Sequence, residues 1–127
     1  MATKVCVEVP GMPAIGPYSH AVQAGGLLFV SGQPGLDAAT GQASPDIKQQ
    51  MRQAFLNLDT VLRAGGSSLD LVVNTTAIVP DLANFPLVNQ LFAEFFPTAP
   101  PARMTINAPL PKGLQFSIGC VAALADS

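Results

Sequence analysis

Arg103 sits in Pro100-Pro101-Ala102-Arg103-Met104-Thr105-Ile106-Asn107, a segment that otherwise reads as an apolar strand. A guanidinium keeps its charge at any physiological pH, and its planar fork of donors fits a carboxylate. Buried without a partner it would cost about 3–5 kcal/mol. Three fates are open to it: an acid of its own chain, an apolar bed for its stem with the head in water, or an anionic ligand. Tyr18 is the single tyrosine and follows the stiff Gly16-Pro17 pair. Its hydroxyl either meets solvent from a strand edge or is aimed by that loop. His20 is the single histidine, with Ser31 as a plausible cross-strand neighbour. A Ser–His pair suggests acyl transfer, but no nucleophile elbow or glycine-rich oxyanion motif surrounds Ser31. One histidine and two distant cysteines, Cys6 and Cys120, do not assemble a metal site. Neither a GxGxxG nor a Walker pattern is present, so no phosphate loop is expected.

The composition says where such residues have to work. A chain of 127 residues closes one core, so a single domain over 1–127 is expected. Apolar residues make up 49% and charged residues only 11%, against a typical ~25% charged. No run approaches the ~18 apolar residues of a membrane span. The start, Met1-Ala2-Thr3-Lys4-Val5, lacks the apolar stretch of a secretory signal. The surplus apolar surface is therefore expected to be buried between subunits, in an obligate homo-oligomer. A net charge of −2 with scattered cations argues against a nucleic-acid partner. Two widely spaced cysteines fit free thiols in a reducing cytoplasm.

The elements that must position these residues can be read in order. Val5–Val9 is a short strand candidate ended by Pro10, and residues 11–17 form a Gly/Pro-rich loop. Ser19–Ala24 and Leu27–Ser31 read as strands joined at Gly25-Gly26, a two-residue hairpin turn. Gly32-Gln33-Pro34-Gly35 reads as a strand-ending turn. A first helix follows, with Ser44 as its cap and Pro45 in its first turn. Its apolar stripe runs through Ile47, Met51, Ala54, Phe55, Leu58, Val61 and Leu62, and Gly65-Gly66 ends it. Leu71–Val79 reads as a strand. The second helix starts near Asn84 with Pro86 in its first turn, and its phenylalanines are read as core. Ala102–Asn107 and Leu114–Leu124 are the last strands. The order β-β-β-α-β-α-β-β predicts an α+β layer, a mixed sheet with two helices packed on one face. The other face then needs cover, and neighbouring subunits are the expected cover.

Ala14-Ile15-Gly16-Pro17-Tyr18-Ser19, Phe29-Val30-Ser31-Gly32-Gln33, Pro101-Ala102-Arg103 and Leu110-Pro111-Lys112-Gly113 occur in this order along nearly the whole chain. With Val88-Asn89 and Glu94-Phe95-Phe96 they resemble the Rid family, the reactive intermediate deaminases also called YjgF. The resemblance implies a chorismate-mutase-like α+β fold assembled as a homotrimer, with sites in the clefts between subunits. It implies hydrolysis of reactive enamines and imines such as 2-aminoacrylate to 2-keto acids and ammonia, as in a 2-iminobutanoate/2-iminopropanoate deaminase, without a cofactor. The family's carboxylate-clamping arginine falls on Arg103, its loop tyrosine on Tyr18, its strand serine on Ser31 and its helix asparagine on Asn89. A position that is often cysteine falls on Thr105.

One position departs from the pattern. The glutamate that relatives carry in the last strand falls on Ser117, and Leu114–Leu124 holds no acid. A serine hydroxyl orients a water but does not take its proton near pH 7. Loss of a general base costs roughly 100- to 10,000-fold in rate. Three functions follow as expectations. The first is a deaminase in which Arg103 clamps, Tyr18 and Asn89 shape the pocket and Ser117 orients water. The second is a trimer that binds a small carboxylate without turnover. The third is a deaminase for a larger imine, such as an aminomuconate, with Met104, Asn107 and Phe116 reshaping the cleft.

Overall fold

Gly25 and Gly26, at φ of 59° and 78°, close the tight hairpin between β2 (Ala21–Ala24) and β3 (Leu27–Pro34) in the computed structural model, which describes residues 3–125. A two-residue turn with positive φ at both positions matches the twist of the strands it joins. β1 (Val5–Val7) pairs antiparallel with β2 and ends two residues earlier than expected. β4 (Val72–Ile78), β5 (Ala102–Ile106) and β6 (Ser117–Ala123) complete one sheet in the order β1-β2-β3-β6-β4-β5. Only β4 and β5 pair in parallel. α1 (Ile47–Ala64) connects β3 to β4, and α2 (Phe85–Phe95) connects β4 to β5. Both crossovers move the same way across the sheet, so a shared right hand puts both helices on the same face. The predicted α+β layer is the fold found.

Three local expectations need correction. Ser44 does not cap α1: Asp46 does, accepting from the backbone N–H of Lys48 and Gln49, while Ser44 Oγ takes the N–H of Asp46. Gly32–Gly35 is not a turn that ends β3. The strand runs on to Pro34 through a register shift between Val30 and Gln33, which carries Gln33 onto the helix side, where it is 2% exposed. β6 begins at Ser117 rather than Leu114, because the Gln115 N–H bonds Gln50 Oε1 of α1 at 2.8 Å instead of a neighbouring strand.

The core lies between the helices and one sheet face. Phe55 of α1 stacks on Phe95 and Phe116 and meets Phe92 and Phe96 edge-on. Val30, Thr75, Ala77, Ile118, Cys120 and Ala122 point into it from the strands. The opposite face carries Val22, Phe29, Val121, Thr76, Met104 and Ile106, and none of the described residues packs over it. Phe29 is 44% and Met104 62% exposed. No helix among the described residues is long and apolar enough to cross a membrane.

Two of these contacts have measurable consequences. A Cβ on Gly35 would stand 1.9 Å from the Gln50 carbonyl oxygen, a backbone atom of α1. Gly35→Ala is therefore expected to lower stability by about 1–3 kcal/mol or more, read as a shifted denaturant midpoint with an unchanged slope. Burial pushes the Cys120 thiol up to about 12, so almost no thiolate exists at neutral pH. Cys120 should resist iodoacetamide at pH 8 in the folded protein and react once the chain is unfolded, as peptide mass spectrometry would show.

Candidate active site

Arg103 lies on β5, the edge strand, and is exposed rather than interior. The penalty of an unpaired buried charge does not apply to it in the single chain. Its backbone pairs with Thr75, whose side chain is buried on the helix side, so the arginine rises on that side too. There its guanidinium carbon stands 4.8 Å from the centre of the Phe92 ring and 5.6 Å from that of Phe85. A cation on an aromatic face gains about 0.5–2 kcal/mol. Such a contact does not require an acid, and among the described residues Arg103 forms no ion pair. Sequence reading took the α2 phenylalanines as core alone and missed this platform. Its signal is the seven-residue spacing of Phe85 and Phe92, which puts both on one helix stripe. Asn89, four residues after Phe85, lies on the same stripe and is exposed.

Among the described residues no acid pairs with Arg103. Arg52 and Arg63 are paired with Glu94 and Asp59. The Arg52 hydrogen bond holds the Glu94 carboxyl below its usual range. Asp37, Asp46 and Asp81 accept backbone N–H groups, and Asp70 accepts the Ser68 hydroxyl. Glu8 follows β1, at the far edge of the sheet. Asp126 lies outside the described residues. Two residues past the arginine, Thr105 Oγ1 is buried without a hydrogen-bond partner.

The second group gathers where β2 meets β3. Ser31 donates its N–H to the His20 carbonyl at 2.9 Å and its Oγ to the Ser19 carbonyl at 2.6 Å. His20 is thus beside Ser31, as expected, although it precedes β2 instead of lying within it. Tyr18 is exposed in the loop, its ring edge-on to His20 with centroids 6.1 Å apart. Ser31 also lines a depression of about 380 Å³ on the open sheet face, with Val22, Phe29, Asn74, Thr76, Gly119 and Val121.

The two groups are not together within one chain. The row Val30–Cys120–Thr75–Arg103 crosses three strand spacings, about 14 Å at ~4.8 Å each. Arg103, Thr105 and Asn89 form one cluster; Tyr18 and Ser31 form the other. Ser117 belongs to neither. It starts β6 opposite Pro34 and Ile78, on the open face, with its Oγ against Gly32. Of the residues expected to reshape a cleft for a larger imine, Phe116 is fully buried and stacked on Phe55. Asn107 uses its side-chain N–H groups on the Val79 and Pro80 carbonyls. Met104 points from β5 to the face opposite Arg103. Among the described residues no group of three or more His, Cys, Asp or Glu is placed to hold a metal.

Comparison with known proteins places this geometry. A family model described as Endoribonuclease L-PSP matches residues 10–124. Reactive Intermediate Deaminase A, chloroplastic, of Arabidopsis thaliana is 41% identical over 113 residues, 87% of this chain, which spans 60% of that protein's length. A 2-iminobutanoate/2-iminopropanoate deaminase of Mus musculus is 37% identical over 94% of this chain and 90% of its own. The crystal structure of the Rid-family protein YyfA from Yersinia pestis superposes with a TM-score of 0.91 at 37% identity, covering 96% of this chain and all of that one. With the family model spanning nearly the whole chain and sequence and fold in agreement, the chain belongs to the endoribonuclease L-PSP family, the Rid (YjgF) proteins.

Proposed function

We propose that the chain hydrolyses small carboxylated enamines and imines, 2-aminoacrylate being the simplest, to 2-keto acids and ammonia. The single observation that carries this reading is the exposed Arg103 guanidinium, set against the Phe92 and Phe85 rings and without an acid partner among the described residues. Relatives named as deaminases of 2-imino acids support the same chemistry. The substrate carboxylate takes two parallel hydrogen bonds from the guanidinium. That fixes the imine carbon for attack by water. Water adds to the carbon to give a carbinolamine, and a proton moves from oxygen to nitrogen. The C–N bond then breaks, leaving ketone and ammonia. An enamine first takes a proton on its terminal carbon to become the imine.

The working unit in this reading is a homotrimer. A molecule of three carbons does not span the ~14 Å between the Arg103 and Ser31 clusters, measured as three strand spacings. Arg103 lies on the edge strand β5 and Ser31 three strands away on β3, so a neighbouring subunit can bring its Tyr18 and Ser31 to this chain's Arg103 and Asn89. Light scattering would then give three times the 13.1 kDa of one chain.

A second reading is favoured by one specific observation, the absence of any acid on β6. Without a base the trimer binds a 2-keto acid or similar carboxylate and does not turn over. Both readings are tested together with 2-aminoacrylate generated in situ and with keto-acid binding by calorimetry. Arg103→Ala is expected to lower kcat/KM by about 30-fold or more and to weaken keto-acid binding similarly, from the 2–5 kcal/mol of a truncated charge pair. Arg103→Lys should recover only part of the loss, since it keeps the charge without the fork. Unchanged imine hydrolysis in Arg103→Ala would sink the deaminase reading. Ser117→Glu is expected to raise turnover at neutral pH. Activity found in that variant and absent from the parent selects the binding-protein reading.

A further inference from the structure

We propose that His20 is a positioning residue for Tyr18: the neutral ring, latched to Gln33, seats the tyrosine, and protonation of the ring opens the latch. The inference rests on the reading that Tyr18 serves the site. Its physical basis is a hydrogen-bond pattern that only one protonation state satisfies.

Gln33 Nε2 donates to the Ser31 carbonyl at 3.1 Å, which fixes the amide with its NH2 toward Ser31. The same Nε2 lies 3.2 Å from His20 Nδ1. An amide NH2 has only donors to offer, so Nδ1 must be the unprotonated, accepting nitrogen. The proton of the neutral ring then sits on Nε2, which is buried without a hydrogen-bond partner. An imidazolium carries protons on both nitrogens. Two donors would then face each other at the Gln33 contact. Turning the amide over would set Oε1 against the Ser31 carbonyl, two acceptors in contact. Neither amide orientation satisfies both neighbours once the ring is charged.

No acid compensates. Cavities on either side of the ring are lined by the titratable residues Tyr18, Asp37, Glu8 and Cys6. None of them forms an ion pair with His20 among the described residues. The Asp37 carboxylate is already taken by the N–H groups of Ala39 and Thr40. The ring is also the surface against which Tyr18 rests, edge to face at 84°. The register shift in β3 is what turns Gln33 to meet it. Loosening the ring therefore removes one wall of the tyrosine's seat, while the Ser31 bonds to the Ser19 and His20 carbonyls keep the backbone in place.

The composition supplies the reporter: one tyrosine, one histidine and no tryptophan. Tyrosine emission and imine hydrolysis are to be followed between about pH 5 and 8, where imidazoles titrate, in the parent, His20→Asn and His20→Ala. Asparagine places Oδ1 near the position of Nδ1, accepts from Gln33 and does not titrate. In the parent, Tyr18 emission should change across this interval, and kcat should fall with it on the acid side. His20→Asn should hold kcat within about threefold at pH 8 and show flat emission and no matching acid decline. His20→Ala should lose about tenfold in kcat at every pH with KM nearly unchanged, a loss within the ~100-fold that small misplacements cause. Flat emission in the parent, or an acid-side change that persists in His20→Asn, would overturn the latch. A parent that hydrolyses no imine refutes the proposed function instead, and the emission arm still decides the latch.

Discussion

Burial on one side of the sheet is the constraint from which the rest follows. Both crossover helices stand on the same face, so Phe55, Phe92, Phe116 and the inward strand residues form a dry core there and nowhere else. The opposite face keeps Phe29, Met104 and Ile106 in water, and with 11% charged residues the chain has little polar surface to screen them. An apolar face of this kind is normally an interface. The same one-sidedness decides where chemistry can be placed. β5 is an edge strand paired on one side only, and its helix-side residues rise beside α2, which supplies the rings under Arg103.

Setting an arginine against aromatic rings differs from holding it by its donors. In an ion pair such as Arg63–Asp59 the donors are consumed, and an incoming carboxylate would have to displace the acid. Beside Phe92 and Phe85 the guanidinium has apolar support and no acid partner among the described residues. The local commitments of Asp37, Asp46, Asp59, Asp70, Asp81 and Glu94 complete this arrangement, because they keep the chain's own carboxylates away. In the proposed reaction a substrate carboxylate would then have no acid to displace, which lowers the cost of binding.

Legibility in the sequence followed the range of the interactions. Helix limits came from local chemistry, as with Gly65-Gly66 at the end of α1 and Pro86 in the first turn of α2. The cap of α1 was misread as Ser44 because serine and aspartate two residues apart both suit the role, and only the backbone path selects Asp46. Gly32-Gln33-Pro34 reads locally as a turn. It is a strand because a bulge absorbs the extra residue and Gly32 leaves room for the Ser117 hydroxyl, a contact across β3 and β6. The charge and donor fork of Arg103 are legible from its residue type. Its exposure was not, since an apolar run looks the same on an edge strand awaiting a neighbour as in the middle of a sheet. The resemblance of ordered motifs named the site residues, but the separation of Tyr18 and Ser31 from Arg103 is a property of strand order, which no local pattern encodes.

The serine at 117 divides the proposed reaction into carboxylate binding, assigned to Arg103, and proton transfer, left to the substrate. Fixing the carboxylate and presenting the imine carbon require well-placed donors, the role proposed for Arg103. Deprotonating water ordinarily requires a group that titrates near neutral pH, and Ser117 is not one. An imine next to a carboxylate is already electrophilic, and the developing amine can itself receive the proton that water gives up. Orientation can then contribute most of the rate without a protein base. The cost falls on less activated substrates, for which a missing base is not repaired by the substrate's own nitrogen. If Arg103 acts as the proposed clamp, a chain without a base on β6 should be most effective on the most reactive members of its substrate class, and its specificity would come chiefly from their intrinsic reactivity.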